Sequence, residues 1–189
     1  SDVYNAIIDG TDAIMLSAES ASGEYPVKAV EVMTNIARSA ENQIWASRPP
    51  MTYFDVGQVK GPEGISNIIG EATFHISEAL KPAAIITTTL SGYTTRWVAK
   101  EHPQAPILCM TPSEKTYRRM ALVWGVLPLL VPEFNTIDEM IGITIRAAHD
   151  AKLVRRGDIV VIIAGVPFGD EVHVNAIELL RDGPAPQIS

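Results

Sequence analysis

Cysteine is nearly absent: Cys109 is the only one in 189 residues. No disulfide can close within the chain, so stability has to come from a packed core. A chain of this length buries about 70% of its unfolded surface and needs no staple. A lone thiol in the apolar run Ile107 to Met110 predicts buried packing rather than reactivity, and fits a reducing cytosol. Long apolar runs are absent too. No stretch reaches the roughly 18–20 residues of a membrane span, and no secretory signal pattern is visible, so the expected location is cytoplasmic. Positive charge is scarce, with 15 Lys and Arg against 22 Asp and Glu and a net charge of −7. That balance argues against nucleic acid or an anionic membrane as a partner. An anionic ligand needs a local site that overcomes a repulsive overall field. The four histidines, His75, His102, His149 and His173, lack metal-ligand spacing, so no metal site is expected. Internal repeats and low-complexity segments are also missing. Ser1-Asp2 carries no initiator methionine and runs straight into a helical pattern, as expected of a fragment of something longer.

The most informative stretch present is Thr87-Thr88-Thr89-Leu90-Ser91-Gly92-Tyr93-Thr94. It follows the apolar run Ala83 to Ile86 and precedes an amphipathic one, Arg96 to Glu101. A strand, a hydroxyl-rich turn with a glycine, then a helix gathers free backbone N–H groups where negative charge is favoured. Gly92 allows close backbone approach to a ligand, and Thr89, Ser91 and Thr94 offer hydroxyl donors. The same residues would also suffice merely to cap the helix and close the turn.

Along the chain, Asp2 caps a short expected helix over Val3 to Ile8, stopped by Gly10. Ala13 to Leu16 reads as a short buried strand and Ser17 to Tyr25 as a polar loop. Apolar residues from Val27 to Ile44 recur at helical spacing after Pro26. The expected organisation is residues 1–47 as one piece, a proline- and glycine-bearing linker over 48–62, a domain over 63–183, and a tail over 184–189. Within that domain a helix over Ile65 to Leu80 leads into alternating elements. These are strands Ala83–Thr87, Ile107–Thr111, Val126–Val131 and Ile159–Ala164, with helices Thr94–Glu101, Ser113–Val123 and Ile137–Val154 between them. Such alternation predicts an α/β layered fold on a mostly parallel sheet. A last strand, Val174–Leu180, follows too closely for a helical crossover and is expected as an antiparallel edge. With strand order 3-2-1-4-5 the topological switch lies between strands one and four. The loops Thr87–Thr94 and Gly165-Val166-Pro167-Phe168-Gly169-Asp170 then meet there.

These residues resemble the pyruvate kinase family. Ser1-Asp2-Val3, Asn5-Ala6, Asp9-Gly10-Thr11-Asp12 and Met15-Leu16-Ser17-Ala18-Glu19-Ser20-Ala21 follow its pattern S-D-V-x-N-A-x-x-D-G-x-D-x-x-M-L-S-G-E-T-A. Gly23 to Val30 also matches, as do Thr89 to Thr94 with Arg96, Val98 and Pro103, Gly157-Asp158, and Ala164 to Gly169. The resemblance covers nearly the whole chain in the family's order. It implies the last strand and helix of a catalytic (β/α)8 barrel, then the complete C-terminal allosteric domain with a five-stranded sheet whose last strand is antiparallel. It further implies a parent enzyme that passes phosphoryl from phosphoenolpyruvate to ADP in glycolysis, uses Mg²⁺ and K⁺, and assembles as a homotetramer.

By that resemblance the phosphoryl-stabilising cations and metal ligands precede Ser1, so this chain alone is expected to be inactive and to hold no cofactor. Ser17 and Glu19 map onto the wall of the catalytic face. From the residues alone they read as loop polars, and Ala18 replaces the family's usual glycine. Thr89, Leu90, Ser91, Gly92, Tyr93 and Thr94 map onto the effector-phosphate loop, and Gly165 to Asp170 onto the second effector loop. Glu133 and Met140 stand where many fructose-bisphosphate-responsive members place a tryptophan and an arginine, and neither grips a phosphate. Val172 replaces a glycine of the second loop, and Asp170-Glu171 add negative charge. The expected ligand is therefore AMP or a sugar monophosphate rather than fructose 1,6-bisphosphate. Two rivals remain. One is a stand-alone phosphometabolite-binding module of the same fold without kinase activity. The other is a small hydrolase using Ser91 or Cys109, disfavoured because no G-x-S-x-G elbow is present and no phosphate-binding arginine loop follows Cys109.

Overall fold

The computed structural model describes residues 2–48, 61–165 and 176–181. The chain divides into two compact units, Ser1–Tyr53 and Phe54–Ser189.

The first unit is helical. Helix α1 (Asp2–Ile8) takes Asp2 into its first turn rather than leaving it outside as a cap. Gly10, at φ 83°, closes α1 as expected. Thr11 N–H donates to Ala6 O at 3.1 Å and Gly10 N–H to Ile7 O at 3.0 Å, which satisfies the last carbonyls. A short α2 (Ala18–Ala21) lies within the expected polar loop, and α3 (Pro26–Ser47) starts on its proline. Tyr4 Oη donates to Gln43 Oε1, tying α1 to α3, and Ile7 and Ala40 are buried. Ala13–Leu16 corrects the sequence expectation: the segment is irregular, not a strand, and Met15 is 87% exposed. A strand needs a neighbour for its N–H and C=O groups. Among the described residues of this unit there are only helices.

The second unit opens with α4 (Gly61–Leu80), which begins inside the expected linker. Pro62 has its φ preset for a first helical turn, so Gly-Pro starts a helix here instead of extending a loop. The remaining elements are β1 (Ala84–Thr88), α5 (Tyr93–Ala99), β2 (Ile107–Thr111), α6 (Glu114–Met120), β3 (Val126–Leu130), α7 (Ile137–Asp150), β4 (Ile159–Ala164) and β5 (Ala176–Arg181). They build one sheet in the order β3-β2-β1-β4-β5. The first four strands are parallel, and β5 runs antiparallel to β4. Fold class, strand order and the reversed last strand are as expected.

Strand residues alternate between two cores, as a period of two requires. Ile86, Leu108, Met110, Val160 and Ile162 pack with Met140 and Ala148 of α7. Ile85, Ile107, Cys109, Val161 and Ile163 pack on the other face with Val98 and Ala99 of α5, Met120 of α6, and Ile69 and Ile76 of α4. Helices cover both faces, so β1 and β2 are apolar or hydroxyl-bearing at every position and fully buried.

Candidate functional site

Strand β1 lies between β2 and β4, with Thr87 opposite Ile163 of β4. The loop after β1 and the loop after β4 therefore leave the same end of the sheet at the point where the strand order reverses. Of the second loop, Gly165 follows β4 directly, and Val166, Pro167, Phe168, Gly169 and Asp170 lie outside the described residues.

The loop after β1 is built from its own hydroxyls. Thr89 N–H donates to Met110 O at 3.1 Å, which anchors the loop on β2. Thr89 Oγ1 accepts from Gly92 N–H at 2.9 Å, and Ser91 Oγ accepts from Tyr93 N–H at 3.3 Å. Gly92 takes a left-handed φ of 84°, which turns the chain into α5. A Cβ there would stand 2.7 Å from Met120 Sδ and Cε. Arg96 folds back along α5, and its Nη2 donates to Ser91 O at 3.4 Å. Two of the loop's N–H groups, those of Gly92 and Tyr93, are thus occupied internally. Among the described residues no acceptor meets the N–H of Ser91 or Thr94. Ser91 is exposed and Thr89 half-buried, and both hydroxyls keep a proton to donate; Thr94 is 4% exposed.

Beneath the loop, Thr87 and Thr95, both fully buried, join Oγ1 to Oγ1 at 2.8 Å. That bond fixes the first turn of α5 on β1. Cys109 lies in the same layer, fully buried. Burial pushes its thiol above the ordinary range, against smaller opposing effects of the Thr95 and Thr87 hydroxyls and of Arg96.

Met140 is 3% exposed on α7, and its sulfur accepts from Thr88 Oγ1 at 3.7 Å. A neutral, polarisable plug therefore closes the α7 side of the β1 end. Glu133 is exposed on the segment before α7.

Ser17 and Glu19 belong to the first unit. Ser17 precedes α2, and its N–H donates to Glu19 Oε2 at 3.0 Å. Backbone N–H donors, its own first and then that of Ser17, hold the Glu19 carboxylate below the usual range. Glu19 and Lys28 edge a groove otherwise lined mainly by apolar residues such as Val3, Leu16, Met33 and Ile36. Among the described residues no group of three His, Cys, Asp or Glu is placed to hold a metal ion, and no helix is long and apolar enough to cross a membrane.

Sequence reasoning missed the supports of the loop. Thr116 of α6 donates its hydroxyl to Leu90 O, and Met120 lies against Gly92. The available signal was their i,i+4 spacing, which puts both on one helix face.

The family model described as "Pyruvate kinase, alpha/beta domain" matches residues 67–180, more than half of the chain. The model described as "Pyruvate kinase, barrel domain" matches residues 1–30. A pyruvate kinase of Clostridium acetobutylicum is 44% identical over 183 residues, covering 95% of this chain and 37% of the relative. One of Geobacillus stearothermophilus is 43% identical over 182 residues, covering 95% of this chain and 30% of the relative. One of Lactobacillus delbrueckii subsp. bulgaricus is 38% identical over 179 residues, with 95% and 30% covered. The chain thus spans about a third of the length of the curated relatives it matches.

Proposed function

The chain belongs to the pyruvate kinase family, and we propose that it is the effector-binding, subunit-contacting part of such an enzyme. The parent would transfer phosphoryl from phosphoenolpyruvate to ADP in the cytoplasm, with Mg²⁺ and K⁺, as a homotetramer. In this reading the metals would be held by the catalytic barrel, whose family model matches only residues 1–30 of this chain. Phosphoryl transfer depends on cationic and metal clamps. A coupled assay on the purified chain is accordingly expected to show no turnover above background.

The observation that carries effector binding is the state of the β1 loop. Its hydroxyls have tied down Gly92 and Tyr93 N–H, while among the described residues no acceptor meets Ser91 N–H, and Ser91 is exposed at the switch point. Each hydrogen bond to an anion contributes about 1.5–3 kcal/mol, so a few of them suffice to hold one phosphate. A second phosphate gains little on the α7 side, where Met140 is a buried thioether and Glu133 repels it. AMP or a hexose 6-phosphate is therefore favoured over fructose 1,6-bisphosphate. Calorimetric titration of the wild type and Ser91→Ala with AMP, glucose 6-phosphate and fructose 1,6-bisphosphate tests this. The expected result is monophosphate binding that weakens about tenfold or more in Ser91→Ala. Tighter binding of the bisphosphate, or no effect of the substitution, would refute it.

A further inference from the structure

We infer that Thr116, on α6, is a positioning residue for the β1 loop: its hydroxyl, through Leu90 O, sets the direction in which Ser91 N–H points. This rests on phosphate binding by that loop and adds to it a residue outside the loop.

Thr116 is 5% exposed, and its Oγ1 donates to Leu90 O across an interval of 26 residues. Its own N–H is held by Ser113 Oγ, the cap of α6, at 3.3 Å. The donor is thus fixed to a capped helix and lacks the freedom of a surface side chain. In a planar trans peptide the C=O and the following N–H point in opposite directions. Drawing Leu90 O toward α6 therefore turns Ser91 N–H away from α6, to the side where, among the described residues, no acceptor meets it. The next peptide is held at both ends. Arg96 Nη2 donates to Ser91 O at 3.4 Å, and Gly92 N–H donates to Thr89 Oγ1 at 2.9 Å. Two successive peptide planes are thereby set, one of them by Thr116. Met120, one turn on from Thr116, lies against Gly92, so α6 braces the loop at two points. Without the Thr116 hydroxyl, Leu90 O loses its buried donor and the Leu90–Ser91 peptide is free to rotate toward solvent.

The test uses the full chain with Thr116→Val, which keeps the shape and removes the hydroxyl, and Thr116→Ser, which keeps the hydroxyl. Hydrogen exchange of the bonded Gly92 and Tyr93 amides is followed without ligand, and AMP and inorganic phosphate are titrated calorimetrically. In Thr116→Val, loop exchange is expected to accelerate about tenfold or more and AMP and phosphate affinity to fall about tenfold, with Thr116→Ser close to wild type in both. Wild-type exchange in Thr116→Val, or loss of order and affinity to the same degree in Thr116→Ser, overturns the inference. If the wild type binds neither AMP nor phosphate, effector binding by the loop fails, and the exchange rates alone decide whether Thr116 orders it.

Discussion

Cys109 shows how one side chain reads correctly from sequence and still acquires a property from its surroundings. Its place in an apolar run predicts burial, and it is fully buried. The Thr87 and Thr95 hydroxyls beside it come from elements 22 and 14 residues away in sequence, so only the fold brings them together. Burial raises the thiol's folded pKa above its unfolded value. The folded state then binds the proton more tightly. Stability from this group is full below the unfolded thiol range of about pH 8.5 and is lost as pH rises through the higher folded value. Unfolding titrations are expected to show a decline above that range which Cys109→Ala lacks. A thiol reagent at neutral pH is expected to label Cys109 only at the rate of opening, as followed by absorbance. Rapid labelling of the native chain would contradict its sealed position.

At the scale of elements, two glycines behave oppositely for stated reasons. Gly92 sits at φ 84° with Met120 close to any added Cβ. A left-handed residue with a Cβ costs about 1–2 kcal/mol, and moving the flexible end of the buried Met120 adds to it. Gly142 lies inside α7, exposed, with no neighbour near an added Cβ. There alanine is expected to stabilise by about 0.5–1 kcal/mol. Denaturant unfolding of Gly92→Ala and Gly142→Ala should move in opposite directions; a shift of the same sign would refute one of the two assignments. Long helices and central strands were readable because apolar periodicity reports burial directly. Ala13–Leu16 was misread because a short apolar run reports a tendency to be buried, not the presence of a partner strand. The start of α4 was misread because Gly-Pro is ambiguous between a loop and a first helical turn.

For the whole molecule, the consequential feature is the apolar surface of the first unit. Met15, Val27, Val30 and Val32 are exposed, and Val3, Leu16, Met33 and Ile36 line a groove edged by Glu19 and Lys28. Apolar area gains about 25 cal/mol per Å² on leaving water, and exposed apolar side chains beside an apolar groove favour association. Sedimentation of the purified chain is expected to show concentration-dependent species larger than the monomer, shifted toward monomer by Met33→Asp. A monomer at all concentrations would show that this face is satisfied within the chain.

The sequence by itself determined the α/β class, the reversed last strand, the family and the position of the β1 loop. Each depends on local pattern: periodicity, turn residues, the length of a connection, or a run of motif residues in order. Tertiary structure alone decided how that loop is held. Leu90 O meets a hydroxyl 26 positions away, Thr88 meets a sulfur 52 positions away, and Thr87 meets Thr95 under the turn. Threonine in a chain signals only that a donor exists. Which acceptor it finds depends on how α5, α6 and α7 pack against the sheet, and that packing sums many small apolar contacts which no local window contains.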